Sequence, residues 1–279
     1  MRFKIHRKGA ALGDTLLAAL ATNNLISAGV DAALDDDRAI ITEHVRVPIF
    51  SGSVEAEGWA FTYTPEAQWD GRCMLRKSLD NFAAAYFPGV RFPIFHRTLE
   101  MIFRDDPSIP AVDVVFNTKT GYWSPFRNWP HFGMLKTLLT AKKISWIDLD
   151  TLIADDNRCL NYAKKARLYI GLDCGMSHFL ASVVRQGLIV QSGYSEMSYW
   201  STYAYHGIFR DTECRRCYLT YRDKCSFEHE CMNMISAESV CAMVDWLLLD
   251  ESGDAPLFSD PRTKLHNPAR LKSDFDGKA

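Results

Sequence analysis

The chain has 279 residues, 47% of them hydrophobic, with a formal net charge of −2 and a pI near 6.4. A chain of that length buries one large core or two modest ones, and two domains is the expectation. The near-neutral charge supplies no global basic field, which excludes nucleic acid and an anionic membrane surface as main electrostatic partners.

"RFKIHR", Arg2 to Arg7, alternates like a short strand; a glycine-bearing loop follows, and "DTLLAALATNNLISAG" has helical composition with Gly29 placed to stop it. "VDAAL" resumes as a strand. Strand, glycine loop, helix and strand open a doubly wound α/β domain, whose parallel strands need helical crossovers. The basic residues Arg2, Lys4, Arg7 and Lys8 before an apolar run also give this stretch the outline of a secretory signal. Asp14 argues against it, since an ionised carboxylate within the apolar region is costly to insert. No stretch approaches the ~20 apolar residues of a membrane span, so a soluble protein is expected.

From Asp35 to Pro110 the pattern is broken by Pro48, Pro65, Pro88, Pro93, Pro107 and Pro110, around short apolar pieces such as "NFAAAYF", and no strand order emerges. "LDDDR", with Asp35, Asp36 and Asp37, invites comparison with cation-holding acidic motifs. A solvated strand end is favoured, because neighbouring residues on a strand point to opposite faces. Regularity returns after Pro110, where the domain boundary is placed. The expectation is an N-terminal α/β domain over 1–110, a second over 111–255 and a polar tail over 256–279.

The second domain reads as strand "VDVVFN", a loop, helix "PHFGMLKTLL", strand "KISWIDL", a helix over 150–166, strand "RLYIGLD", helix "GMSHFLASVV" and strand "GLIVQS". A cysteine-rich segment follows. "ISAESVCAMVDWLL" closes the domain as an amphipathic helix, with Ser236 as N-cap and Glu238 in its first turn.

Several residues carry candidate chemistry. Asp14 stands where loop becomes helix, and on physics alone an N-cap is the favoured reading. The carboxyl end of a first parallel strand also faces the crevice where α/β sheets bind ligands, and both roles can coexist. In "YIGLDCGMSHFLASV" the strand ends in Asp173, Gly175 permits close backbone approach, and the following helix presents N–H groups suited to an anion. An ordinary βα turn, with Asp173 capping and His178 satisfied in the core, stands equally open. "NTKTGYWSPFRNWP" brings Thr118, Lys119 and Arg127 after a strand; the two cations could neutralise a diphosphate, although the loop alone reads as solvated. Of the eight cysteines, Cys214, Cys217, Cys225 and Cys231 cluster with the close first spacing of a metal knuckle. Four thiolates suit zinc or iron and His229 is a substitute ligand; the alternatives are two disulfides, which a reducing cytoplasm disfavours, and unligated packing. Cys73, Cys159, Cys174 and Cys241 read as small buried apolar residues.

Taken together, "GAALGDTLLAAL", "RNWP", "IGLDCGMSHFLAS" and the "CRRC" segment running into "IS" resemble successive landmarks of glycosyltransferase family 9, the heptosyltransferases. Residues 35–110 show nothing comparable. The resemblance implies two Rossmann-like domains facing a cleft (GT-B), the first of them reduced, and inverting transfer of a sugar, typically heptose from ADP-heptose, without a catalytic metal. It implies Asp14 as general base, flanked by Gly13 and Thr15 on the acceptor side. Thr118 and Arg127 resemble the phosphate-binding pair, with Lys119 as helper and Arg127 in place of a common lysine. Asp173, Gly175, Met176, Ser177 and His178 resemble the turn that holds the donor diphosphate. One branch of the family, acting on autotransporter proteins, carries a cysteine-bound iron, and the four cysteines resemble such a finger in kind. The resemblance further implies a cytoplasmic enzyme, at most peripheral to the inner membrane, acting on a lipopolysaccharide core, another envelope glycan, or a lipid-linked or protein acceptor. It leaves homo-oligomerisation open. A degenerate GT-B binding or scaffolding protein with a structural finger is the alternative; a nucleic-acid-binding zinc ribbon is disfavoured by charge.

Overall fold

Alternation along the first strand sets the first sheet. In the computed structural model, which describes residues 1–7, 11–51, 55–61, 72–121, 125–152, 155–196, 205–219, 223–249 and 255–266, two compact units divide between Phe103 and Arg104. The first unit contains β1 (Phe3–Arg7), α1 (Leu12–Ser27), β2 (Ala32–Asp35), α2 (Ala39–His44), β3 (Glu57–Phe61) and α3 (Met74–Tyr86). Its sheet has the order β2-β1-β3 with both pairings parallel. Phe3 and Ile5 are buried while Lys4 and His6 are partly exposed. The Phe3 ring meets Phe82 and Tyr86 of α3 edge-on, each at 4.9 Å. α1 is buried around most of its circumference and ends as the sequence predicts. Gly29 takes φ +85°, its N–H bonds to the Ile26 carbonyl at 2.9 Å, and the Val30 N–H bonds to Leu25 at 3.0 Å. That closure satisfies carbonyls the helix end leaves open.

"LDDDR" is not a solvated strand end. The Asp36 side chain is 1% exposed and takes the Arg7 Nε at 2.7 Å and the Arg38 Nε at 3.1 Å. It also accepts the Arg38 N–H at 3.1 Å and the Thr15 hydroxyl at 3.2 Å. Asp35 instead holds His6 Nδ1 at 2.7 Å and Lys4 Nζ at 3.2 Å. The acidic run is thus split between faces, as strand geometry requires. Strand β3 escapes the sequence because "EGWAF" is short and carries a glycine, and only pairing with β1 makes it a strand.

The second unit contains β4 (Val112–Phe116), α4 (Phe132–Ala141), β5 (Trp146–Asp148), α5 (Asp156–Lys165), β6 (Ala166–Leu172), α6 (Gly175–Leu180), β7 (Gly187–Gln191), β8 (His206–Arg210), α7 (Glu230–Asn233), α8 (Ala237–Leu248) and β9 (Thr263–His266). The 105–110 stretch goes with it, because Asn157 and Asn161 of α5 accept the Arg104 and Asp106 N–H groups, each at 2.8 Å. The six-stranded sheet has the order β5-β4-β6-β7-β8-β9, parallel through β8 with β9 antiparallel. This is a doubly wound order, and the winding reverses between β4 and β6. β7 is buried along its whole length, as a parallel strand covered on both faces should be. Ser236 caps α8, accepting the Ser239 N–H at 3.1 Å.

Two departures from the sequence reading share a cause. β8 had no apolar alternation to announce it, since it begins with His206 and ends with Arg210; β9 lies within the segment read as a polar tail. Arg210 is buried with Glu230, whose carboxylate lies 2.9 Å from Nη2, and with Asp260 against Nη1. These ion pairs tie both strands into the sheet. The helix read over 150–166 begins at Asp156 after a 3-10 turn, and that read from Gly175 ends at Leu180. No helix among the described residues is long and apolar enough to cross a membrane.

Burial raises the Asp36 pKa, but the Arg38 hydrogen bonds and the charges of Arg38 and Arg7 outweigh it and hold the carboxyl below 3.8. Asp36→Asn should therefore cost about 2–3 kcal/mol at pH 7, by leaving two guanidinium groups around a neutral amide. Because the folded-state pKa is depressed, the difference should shrink as pH falls below the ordinary aspartate range. Urea melts of both proteins at pH 7 and pH 3 measure it.

Candidate functional site

The residues that sequence reading singled out in the second unit stand where its winding reverses. β4 pairs with β6 from Val112–Ala166 to Phe116–Ile170, and the Asn117 N–H extends the ladder to the Ile170 carbonyl at 3.0 Å. Just past the two strand ends, the Cys174 thiol meets the Asn117 side-chain oxygen at 3.1 Å. Crevices at such reversals are the usual ligand sites of open α/β sheets.

Arg127 closes one side of this corner. It ends a 3-10 turn, Pro125–Arg127, which Trp129 anchors by donating its indole N–H to the Ile235 carbonyl at 2.9 Å. The solvated loop that sequence alone favours is corrected here. Arg127 is 8% exposed, donates from Nη1 to the Asp173 carbonyl at 2.6 Å, and lies over the Tyr194 ring at 5.0 Å. Burial raises the pKa of the Asp173 carboxyl, against the opposing pull of Arg127 and of the Ser195 hydroxyl, which donates to it at 3.2 Å.

Cys174, Gly175, Met176 and Ser177 make the turn into α6. Cys174 is no simple apolar filler. It is the residue preceding the helix; burial raises its thiol pKa, while Arg127 and the N–H groups of Ser177 and Met176 pull it down. Ser177 is committed to structure, donating to the Leu172 carbonyl at 2.5 Å and meeting the Tyr169 hydroxyl at 3.0 Å. His178 is buried, and burial lowers its pKa to about 4.

Thr118 is held by a partner that sequence reading missed. Its N–H and hydroxyl both donate to Asp150 Oδ2, at 2.7 and 2.6 Å, and Asn117 donates to Oδ1 at 2.7 Å. Lys119 is exposed. The only sequence signal for Asp150 is its place after strand β5.

In the first unit, Gly13, Asp14 and Thr15 lie in the first turn of α1, which follows β1. Asp14 is not the N-cap. Ala11 holds that position without a side-chain bond, so Asp14 sits inside the turn, where its charge complements the helix dipole. Thr15 is buried against Asp36.

Cys214, Cys217, Cys225 and Cys231 line one cavity of about 20 Å³ with Phe126, Tyr194 and His229. That is about the space of one water-sized sphere. The His229 N–H points at Cys225 Sγ over 3.4 Å. Of the five described non-glycine residues with positive φ, four lie here: Arg216, Tyr218, Glu228 and His229. Burial raises Cys217, and raises Cys231 to about 11, with the neighbouring thiols adding to both. Among the described residues, no three potential ligands stand at metal-binding geometry. The cysteines therefore share one cavity of a size suited to an ion, without forming a closed ligand set. All are free thiols.

No protein-family model and no curated protein matches the chain. Solved structures match it in fold. The iron-containing dodecameric glycosyltransferase TibC from enterotoxigenic E. coli H10407 aligns with a TM-score of 0.65 and 14% identity, over 91% of this chain and 80% of that one. TibC in complex with ADP-D-β-D-heptose gives 0.64 and 11%, over 90% and 77%. The E. coli ADP-heptose LPS heptosyltransferase II gives 0.57 and 12%, over 91% and 100%. A family 9 glycosyltransferase from Veillonella parvula DSM 2008 gives 0.55 and 12%, over 89% and 97%. The chain thus has an α/β fold with parallel-rich sheets, similar to that of the GT-B heptosyltransferases.

Because the folded chain holds His178 neutral down to about pH 4 while the unfolded chain protonates it near 6.5, stability should fall as pH drops through that window. The loss amounts to about 3 kcal/mol at full extent. His178→Gln should flatten this part of the pH–stability profile, measured as the denaturation midpoint from pH 7.5 to 4.

Proposed function

We propose that the chain is an inverting glycosyltransferase that moves a sugar, of the heptose type, from a nucleoside-diphosphate donor of the ADP-heptose kind to an acceptor hydroxyl on a glycan, lipid or protein. The observation that carries this reading is the buried Arg127 guanidinium at the β4–β6 corner, held on the Asp173 carbonyl beside the Gly175 turn. The likeness in fold to TibC, which is known in complex with ADP-D-β-D-heptose, supports it.

In the proposed displacement, the Asp14 carboxylate takes the proton of the acceptor hydroxyl as its oxygen bonds to the anomeric carbon. The bond from that carbon to the diphosphate oxygen breaks, and its electron pair leaves with the diphosphate. Arg127 offsets the developing charge by charge-assisted hydrogen bonding, strengthened where water is excluded. The reading assigns no step to a metal. Cys214, Cys217, Cys225 and Cys231, with His229 beside them, would hold a structural zinc or iron. Their shared cavity and the reversed backbone around them support that, since a cation removes the mutual repulsion of thiolates. TibC is iron-containing and dodecameric, which supports a homo-oligomer as part of this reading.

A degenerate binding protein is the second reading. It is favoured by the commitment of the Thr118 hydroxyl to Asp150 and by the Cys174 thiol at the α6 N-terminus, where a diphosphate would otherwise find donors. Calorimetric titration with a panel of nucleotide sugars separates the two, since no binding to any donor supports the second.

Asp14→Ala should lower transfer by at least about 10²-fold while leaving donor affinity within about twofold; full turnover by that variant removes the assignment. Arg127→Ala should weaken donor binding by about tenfold or more, read by calorimetry. Elemental analysis of the purified chain should find about one zinc or iron per chain, lost in Cys217→Ser; a metal-free folded wild type refutes the finger.

A further inference from the structure

The cysteine cavity and the β4–β6 corner are joined by four residues that sequence reading passed over, Ser192–Gly193–Tyr194–Ser195, just beyond β7. Ser192 lines the cysteine cavity. The Gly193 carbonyl accepts the N–H groups of Arg216 and Cys217, at 2.7 and 3.2 Å, both from the Cys214–Cys217 knuckle. A Cβ on Gly193 would stand 3.3 Å from Cys231 Cβ and 3.5 Å from its sulfur, so the loop lies closely on that cysteine. Tyr194 accepts the Tyr218 N–H at 3.2 Å, and the two rings meet edge to face at 5.5 Å. From the same loop, the Tyr194 ring lies under the Arg127 guanidinium, and Ser195 donates to the Asp173 carboxylate at 3.2 Å. Arg127 is also approached through its chain neighbour, since the Phe126 ring meets His229 at 4.6 Å.

We infer that Tyr194 is the positioning residue through which the cysteine segment sets Arg127 for the diphosphate, an inference that rests on the reading above. Its aromatic face lies 5.0 Å from the guanidinium carbon and limits the rotamers open to it, which leaves Nη1 on the Asp173 carbonyl. The face itself is fixed from behind by the knuckle's hydrogen bonds to Gly193 and Tyr194. Misfolding of the knuckle therefore reaches the diphosphate site without any cysteine touching the ligand.

Calorimetry with ADP as the probe tests this. Tyr194→Phe keeps the face and should bind ADP within about twofold of wild type, whereas Tyr194→Leu should bind about tenfold more weakly. Cys217→Ser, a variant of the knuckle alone, should weaken ADP similarly. In an Arg127→Ala background neither Tyr194→Leu nor Cys217→Ser should cost more than about twofold further, because the group they act through is gone. Wild-type affinity in Tyr194→Leu, or losses that add in full to that of Arg127→Ala, overturns the positioning role; general misfolding gives the additive result. A wild type that binds none of ADP, GDP, UDP and CDP instead fails the nucleotide reading itself, and the inference with it.

Discussion

β4 and β6 lie side by side from Val112–Ala166 to Phe116–Ile170, and each runs on past its ladder into polar residues, Asn117-Thr118 on one and Asp173-Cys174 on the other. The sheet winds one way from β4 to β5 and the other way from β6 onward, so no crossover helix covers the seam between these two ends. Asn117 and Asp173, which emerge there, are nonetheless almost fully buried, and buried polar groups need partners. They must bond to each other or to a ligand. The structure shows the first solution in detail, with Asp150, Asn117, Thr118 and Cys174 in one chain of contacts and Arg127 on the Asp173 backbone.

A buried arginine at such a corner needs support on every side. Nη1 is held on the Asp173 carbonyl, and the Tyr194 ring lies 5.0 Å from the guanidinium carbon. The neighbouring carboxylate does not act as a simple counter-ion. Desolvation works against its charge, and the Ser195 hydroxyl and Arg127 recover part of the cost. The result is a cation shielded from bulk water beside a carboxylate whose own charge burial disfavours.

The cysteine segment obeys a different constraint. Burial around a cavity of about 20 Å³, with the neighbouring thiols adding to it, raises the Cys217 and Cys231 pKa values, so these two are neutral thiols unless a cation enters. Left-handed backbone at four non-glycine residues costs about 1–3 kcal/mol each and persists only where surrounding bonds over-determine it. Part of that determination comes from the Gly193 and Tyr194 carbonyls, which belong to the sheet end and not to the cysteine segment. The cysteine segment and the corner are therefore joined by backbone hydrogen bonds, although they are separate in sequence.

Apolar periodicity in the sequence was enough to indicate two parallel α/β units, and local chemistry to place the α1 stop at Gly29 and the α8 cap at Ser236, because these depend on residues within a turn of one another. The same holds for the strand-to-loop positions of Thr118 and Asp173, which mark where strands end, and for Asp14 in the first turn of α1. Sequence could not give β3, β8 or β9, whose short or charged segments become strands only against partners far along the chain. Nor could it show that Asp36 is a buried ion-pair centre, that Asp150 takes up the Thr118 hydroxyl, or that Tyr194 lies under Arg127. Those outcomes depend on which side chains meet across the sheet, and burial, which decides whether a charge is solvated, paired or suppressed, exists only once the strands have been ordered.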